Sequence, residues 1–150
     1  MKKALGIVLL LFWMTLIFHY SAQPAEVSNE TSDSWISRIS ETVSAVLGIE
    51  DSDVIESFLS EYVPFVRKGA HIGEYLILGL LASFNAVELI GNRTVPLSVA
   101  FCILYAISDE IHQIFVSGRA GMVMDVVIDG IGAMIGVFLY HHFMKKWKRN

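Results

Sequence analysis

Charge is scarce in this 150-residue chain: Asp, Glu, Lys and Arg make up 17% of it, against 54% hydrophobic residues. That balance excludes a solvated, disordered protein, and a formal net charge of −4 gives no basic surface for nucleic acid. Cysteine is nearly absent. Cys102 stands alone, which excludes an intrachain disulfide, a CxxC redox pair and a cysteine-rich zinc site. The familiar catalytic signatures HExxH, GxSxG and the P-loop are missing as well, so no standard metalloprotease, serine hydrolase or nucleotidase is indicated.

What is present instead is a set of apolar stretches. A membrane-crossing helix needs about 20 apolar residues. Windows at about Ala4–Tyr20, Gly69–Ile90, Val95–Val116 and Met122–Met144 reach or approach that length. The composition predicts an all-α fold, an integral membrane bundle of four transmembrane helices, with residues 1–150 as a single domain and residues 21–66 as an outer loop. The lipid bilayer is its first partner. Lys2, Lys3 and the later SAQPA would also suit a signal peptide. The apolar run is too long for the usual h-region, however, and Tyr20 fits poorly before a cut after Ala22. An uncleaved first span is expected.

Lys and Arg gather on the cytoplasmic side of multi-pass proteins. With both termini inside, the inner side holds Lys2, Lys3, Arg93, Lys145, Lys146, Lys148 and Arg149, and the outer side Arg38, Arg67, Lys68 and Arg119. The expected location is the cell membrane, multi-pass, with N- and C-termini cytoplasmic. The outer loop is acidic, and Arg38 is its one cation between Ser21 and Tyr62. Within it Trp35, Ile36, Ile39, Val43, Val46 and Leu47 recur at helical spacing, with Ser32 or Asp33 as N-cap and Gly48 as stop. Val54, Ile55, Phe58, Leu59 and Tyr62 form a second set ending before Pro64. Two short amphipathic helices are predicted in this first extracytoplasmic loop.

The charges at the ends of the apolar windows are the informative ones. They fall in RKGAHIGEY (67–75), SDEIHQ (108–113) and GRAGMVMDVVID (118–129). An ionised side chain at the bilayer centre costs about 2.5–3.5 kcal/mol on insertion scales, so several near one depth suggest a site. Helical spacing places Lys68, His71 and Tyr75 on one face, with Glu74 adjacent. Asp109 and Gln113 are at i, i+4, with His112 beside them and Glu110 turned away. Asp125, Asp129, Gly132 and Gly136 share one stripe, whose two glycines let another helix approach closely. Duller readings stand beside these. Asp125 could bridge Lys68 or Arg119, and His71 could be a core histidine.

The aromatic-rich first span ending in SAQP, the segment RKGAHIGEYLILGLL and the segment YAISDEIHQIFVSGRAGMVMDVVIDGIGAMIG together resemble the VanZ-like family of membrane proteins over nearly the whole chain. The recurring polar positions of the resemblance are Lys68, His71, Glu74, Tyr75, Asp109, Glu110, Gln113, Arg119 and Asp125. Nothing carries over to the acidic loop. The family's named member is associated with reduced susceptibility to the glycopeptide teicoplanin. The resemblance therefore implies a bacterial cell-envelope setting and a link to antibiotic resistance.

The candidate set, undivided between catalysis and ligand binding, is Lys68, His71, Glu74, Tyr75, Asp109, Glu110, His112, Gln113, Arg119, Asp125 and Asp129. No cofactor is expected. A divalent metal on His71, Glu74, Asp109, His112 and Asp125 is the minority alternative. Three functions stay open. Lys68 and Arg119 could grip an anionic, lipid-linked envelope molecule, with His71 and Asp109 or Glu110 as acid and base. The intramembrane acids and histidine could move protons or ions, complete only as a homo-oligomer. Or the charges could be structural glue in a non-enzymatic scaffold.

Overall fold

The computed structural model describes residues 2–49, 51–90 and 94–147. Among them the chain is helical throughout its regular structure: α1 Lys2–Ser21, α2 Ala25–Leu47, α3 Ser52–Ile90, α4 Val95–Gln113 and α5 Val123–Trp147. Four of these, α1, α3, α4 and α5, are long and apolar enough to cross a membrane. The inner-side residues Arg93, Lys148 and Arg149 lie outside the described residues.

The segment between the first two spans departs from expectation. Helix α2 begins directly after Pro24, well before Ser32 and Asp33, and runs for 23 residues. It is not short. Its stop is the expected one: Gly48 adopts φ 68° and its N–H bonds the carbonyl of Ser44. The second predicted helix does not exist as a separate element. Pro64 lies inside α3, a 39-residue helix that joins the predicted amphipathic piece to the second span. A proline inside a helix forfeits one backbone hydrogen bond and crowds the turn before it. Packing of α2 along this half of α3 offsets that cost, and the sequence alone does not display it. At 1.5 Å per residue α3 is about 58 Å long, roughly twice the hydrocarbon thickness of a bilayer. Its first half therefore projects beyond the spans together with α2.

Helix α3 is the hub, touching every other helix, and its broadest contact is with α5. The glycine stripe explains that contact. A Cβ on Gly132 would strike the carbonyl of Ile72, and one on Gly136 the carbonyl of Leu76. Gly79 on α3 answers against the carbonyl of Ala133. Backbones this close leave no room for side chains, so small residues supply the packing that lipid cannot drive. The core beside it is Ile17, Tyr75, Leu78, Ala82, Cys102, Ala106 and Ala133. Cys102 packs there as a buried free thiol.

Polar ties hold α1 in place. Asn85 Nδ2 donates to the carbonyl of Gly6 (3.0 Å), Tyr105 Oη to that of Met14 (2.6 Å), and Trp13 Nε1 to that of Glu74 (2.9 Å). Donors in an apolar medium need a partner, and each of these finds a main-chain oxygen on a neighbouring helix.

Candidate functional site

At one end of the bundle α1 and α4 finish, α5 begins, and α3 passes through toward α2. The polar pieces of the sequence meet there. Gln113 Nε2 donates to Ser21 Oγ (2.8 Å) and to Asp109 Oδ2 (3.3 Å), joining the last turns of α4 and α1. Glu110 Oε2 accepts the Met122 N–H (2.8 Å), which places a carboxylate at the start of α5, where free amides and the helix dipole favour it. His71 Nδ1 on α3 lies 3.5 Å from Asp129 Oδ1 on α5.

Two arginines tie this end to α2 and to the turn before it. Arg119, in the turn between α4 and α5, donates from Nε to the carbonyl of Gln23 (2.9 Å). Arg67 reaches Ser28 O (3.0 Å), Asn29 Oδ1 (2.8 Å) and Ser32 Oγ (2.7 Å). The main chain adds Ala25 N–H to Ser117 O (3.1 Å). Gly118 turns beneath that contact at φ 72°, with space for a Cβ closed by Ala25.

Between these elements lies a cavity of about 380 Å³. Its polar wall carries Arg67, His71, Glu74, Asp109 and Arg119, faced by Ser28, Thr31 and Ser32 of α2. Off this wall, on α3, α4 and α5, are fully or nearly buried groups: Tyr75, Glu110, Gln113 and Asp129. Several buried polar atoms of the site have no hydrogen-bond partner among the described residues, among them His71 Nδ1, Tyr75 Oη, Asp109 Oδ1, Glu110 Oε1 and both oxygens of Asp129. Unpaired buried polar atoms are costly, and folded proteins keep few of them without a reason. A second, apolar groove of about 280 Å³ runs between α2 and α3 past Trp35, Ile36, Ile39, Leu59 and Val63. Ser32 and Arg67 line both spaces.

Of the sequence candidates, His71, Glu74, Asp109 and Arg119 reach the cavity wall. Tyr75, Glu110, Gln113 and Asp129 are buried and do not line it. Three stand apart. Lys68 is exposed and does not line the cavity, and Arg67 occupies the place expected for it. The stripe on the wall is Arg67, His71 and Glu74, at i, i+4 and i+7, and Arg67 at its head meets α2. The face read through Lys68 and Tyr75 divides instead between solvent and core. His112 packs its ring on Phe18, with centroids 4.4 Å apart. Asp125 is half-buried in the first turn of α5, off the cavity wall. Among the described residues no three His, Cys, Asp or Glu side chains converge to hold a metal ion. The sequence reading also missed Ser28, Thr31 and Ser32. Their spacing puts them on one face of a helix, but only the start of α2 at Ala25 makes that face visible.

A family model described as VanZ/LLP1 matches residues 6–145, nearly the whole chain. No curated protein and no solved structure matches it.

Proposed function

The chain belongs to the VanZ/LLP1 family, and on that footing we propose that its polar cavity binds the anionic group of a lipid-linked cell-envelope molecule at the outer face of the membrane. One observation carries the reading. Arg67 and Arg119 come from separate elements to one cavity rimmed by the hydroxyls of Ser28, Thr31 and Ser32. Planar guanidinium forks are suited to phosphate or carboxylate. Of the three hydroxyls, those of Thr31 and Ser32 already donate to the carbonyls of Val27 and Ser28, and that of Ser28 is left as a donor. Among the described residues Arg119 uses only its Nε, on the Gln23 carbonyl, which leaves both Nη groups for a ligand. The apolar groove beyond Arg67 supports the lipid-linked part of the reading, since an apolar portion of the same molecule meets Trp35 and Val63 there.

Four apolar helices and the family make this a multi-pass membrane protein. The distribution of Lys and Arg supports cytoplasmic termini, with the cavity and α2 on the opposite, cation-poor side. Family membership supports a resistance phenotype. Teicoplanin susceptibility and envelope-lipid composition, measured with and without the gene, test it. A gene carrying Arg119→Gln should behave as the deletion does, and wild-type behaviour of that variant would contradict the proposal.

A second reading, proton- or ion-coupled transport, rests on a different observation: polar atoms of Tyr75, Asp109, Glu110 and Asp129 are buried without a partner among the described residues. Proton flux into liposomes containing the purified protein, lost in Asp129→Asn, would favour it over simple binding.

A further inference from the structure

We propose that His71 and Asp129 form a carboxylate–imidazole pair that makes Nε2 of His71 the proton acceptor of the cavity. The proposal rests on the same cavity as the binding reading above and adds chemistry to it.

Nδ1 of His71 is buried and lies 3.5 Å from Asp129 Oδ1. The His71 side chain, 31% exposed, lines the cavity. With Nδ1 beside a carboxylate, Nε2 is the nitrogen left for a ligand in that space. Asp129 is fully buried, neither of its oxygens has a hydrogen-bond partner among the described residues, and His71 Nδ1 at 3.5 Å is an ion-pair contact rather than a formed hydrogen bond. The neighbour left to it is His71. A buried carboxylate facing Nδ1 holds the proton on that nitrogen and keeps Nε2 as a lone-pair acceptor, the arrangement by which an aspartate orients a catalytic histidine.

The helices fix this geometry. His71 and Asp129 flank one of the close approaches of α3 and α5, where Gly132 sits against the carbonyl of Ile72. The two side chains therefore extend from backbones that cannot slide apart. The other acidic neighbours of the imidazole are Glu74 from the same helix, Asp109 from α4 and Asp125 from the start of α5.

The chemistry this permits is general-base catalysis. A water or hydroxyl held beside the anion bound at Arg119 gives its proton to Nε2. The O–H bond breaks, an N–H bond forms, and the imidazolium is balanced by the Asp129 carboxylate. The oxygen then attacks the phosphorus of a bound phosphate ester: a new P–O bond forms, the ester P–O bond breaks, and the leaving alcohol takes the proton from Nε2, so no oxidant or metal is needed. Here His71 is the catalytic residue and Asp129 the positioning residue.

The test uses the full-length protein in nanodiscs of zwitterionic lipid and the electrophile diethyl pyrocarbonate, which acylates the unprotonated imidazole nitrogen. The rate at each histidine is read by peptide mass spectrometry, and the tautomer of His71 by imidazole ¹⁵N NMR. Wild-type protein should show the Nδ1–H tautomer and acylation at Nε2. Asp129→Asn should slow acylation of His71 by about tenfold or more, because the new amide donates to Nδ1 and moves the proton to Nε2. The exposed His19 and His142 should react unchanged. Equal rates at His71 in both proteins would overturn the pair. If Asp129→Asn fails to fold, the wild-type tautomer alone decides, and an Nε2–H signal overturns the proposal. Protection of His71 by dodecyl phosphate would support the pair and the anion site together. The expected tautomer and rates without such protection would support the pair and remove the anion-binding reading.

Discussion

Arg67 holds Ser32 by two prongs: its Nε and Nη2 both donate to the Ser32 hydroxyl, at 3.2 and 2.7 Å. The contact spans 35 residues of sequence and fastens α2 to the long helix α3. The guanidinium also reaches Ser28 O and Asn29 Oδ1, so one side chain clasps a full turn of α2. A lysine cannot reproduce that fork. In Arg67→Lys the first half of α2 should exchange its amide hydrogens faster, by about tenfold or more, since hydrogen bonds to a charged group contribute about 1.5–3 kcal/mol. Hydrogen exchange followed by mass spectrometry reads this directly, and unchanged protection of residues 25–35 would contradict the clasp.

The close contact of α3 with α5 makes its own prediction. Gly136→Ala drives a methyl into the carbonyl of Leu76, while Gly73→Ala meets nothing within 4 Å. The first should destabilise the folded protein by about 1–3 kcal/mol, and the second should change little. Unfolding in mixed detergent micelles compares them. Equal stability of the two variants would mean that the helices are not packed backbone to backbone.

Glu110 separates a cap from a ligand contact. Its carboxylate accepts the Met122 N–H at the start of α5. Glu110→Gln keeps an acceptor oxygen and should preserve folding, whereas Glu110→Ala should cost about 1 kcal/mol, the usual loss for a helix cap. Folded yield and thermal unfolding in detergent check this. An alanine variant as stable as wild type would leave Glu110 without a structural role.

Much of this architecture is legible in the sequence, for identifiable reasons. Membrane spans announce themselves through length and apolarity, and Gly132 and Gly136 mark a helix contact by their spacing alone. Gly48 ends α2 because an αL cap is a local property of glycine. His71, Glu74, Asp109 and Arg119 stood out because charge is expensive inside apolar windows. The rest depends on tertiary packing. Pro64 reads as a helix end, yet α3 runs through it with α2 alongside. Arg67 and Lys68 are adjacent in sequence and about 100° apart on a helix, so choosing between them requires knowing where α2 lies.

Topology can be tested in whole cells. In a Cys102→Ala background, cysteines at Ser34 and Ser117, both exposed positions, should react with an impermeant thiol reagent. A cysteine at Lys3 should react only after lysis. Labelling of Lys3→Cys in intact cells, with Ser34→Cys and Ser117→Cys silent, would invert the orientation and place the cavity in the cytoplasm.

The anionic site itself is reached most directly by equilibrium binding of radiolabelled dodecyl phosphate to the full-length protein in zwitterionic nanodiscs. The account predicts saturable binding that weakens with added salt, because charge-assisted contacts at a wet rim are screened. It predicts a loss of about tenfold or more in Arg119→Gln, the scale of one charge-assisted hydrogen bond. Lys68→Met should bind as wild type does, since that side chain lies off the cavity wall. Equal affinity of wild type and Arg119→Gln would contradict the central claim.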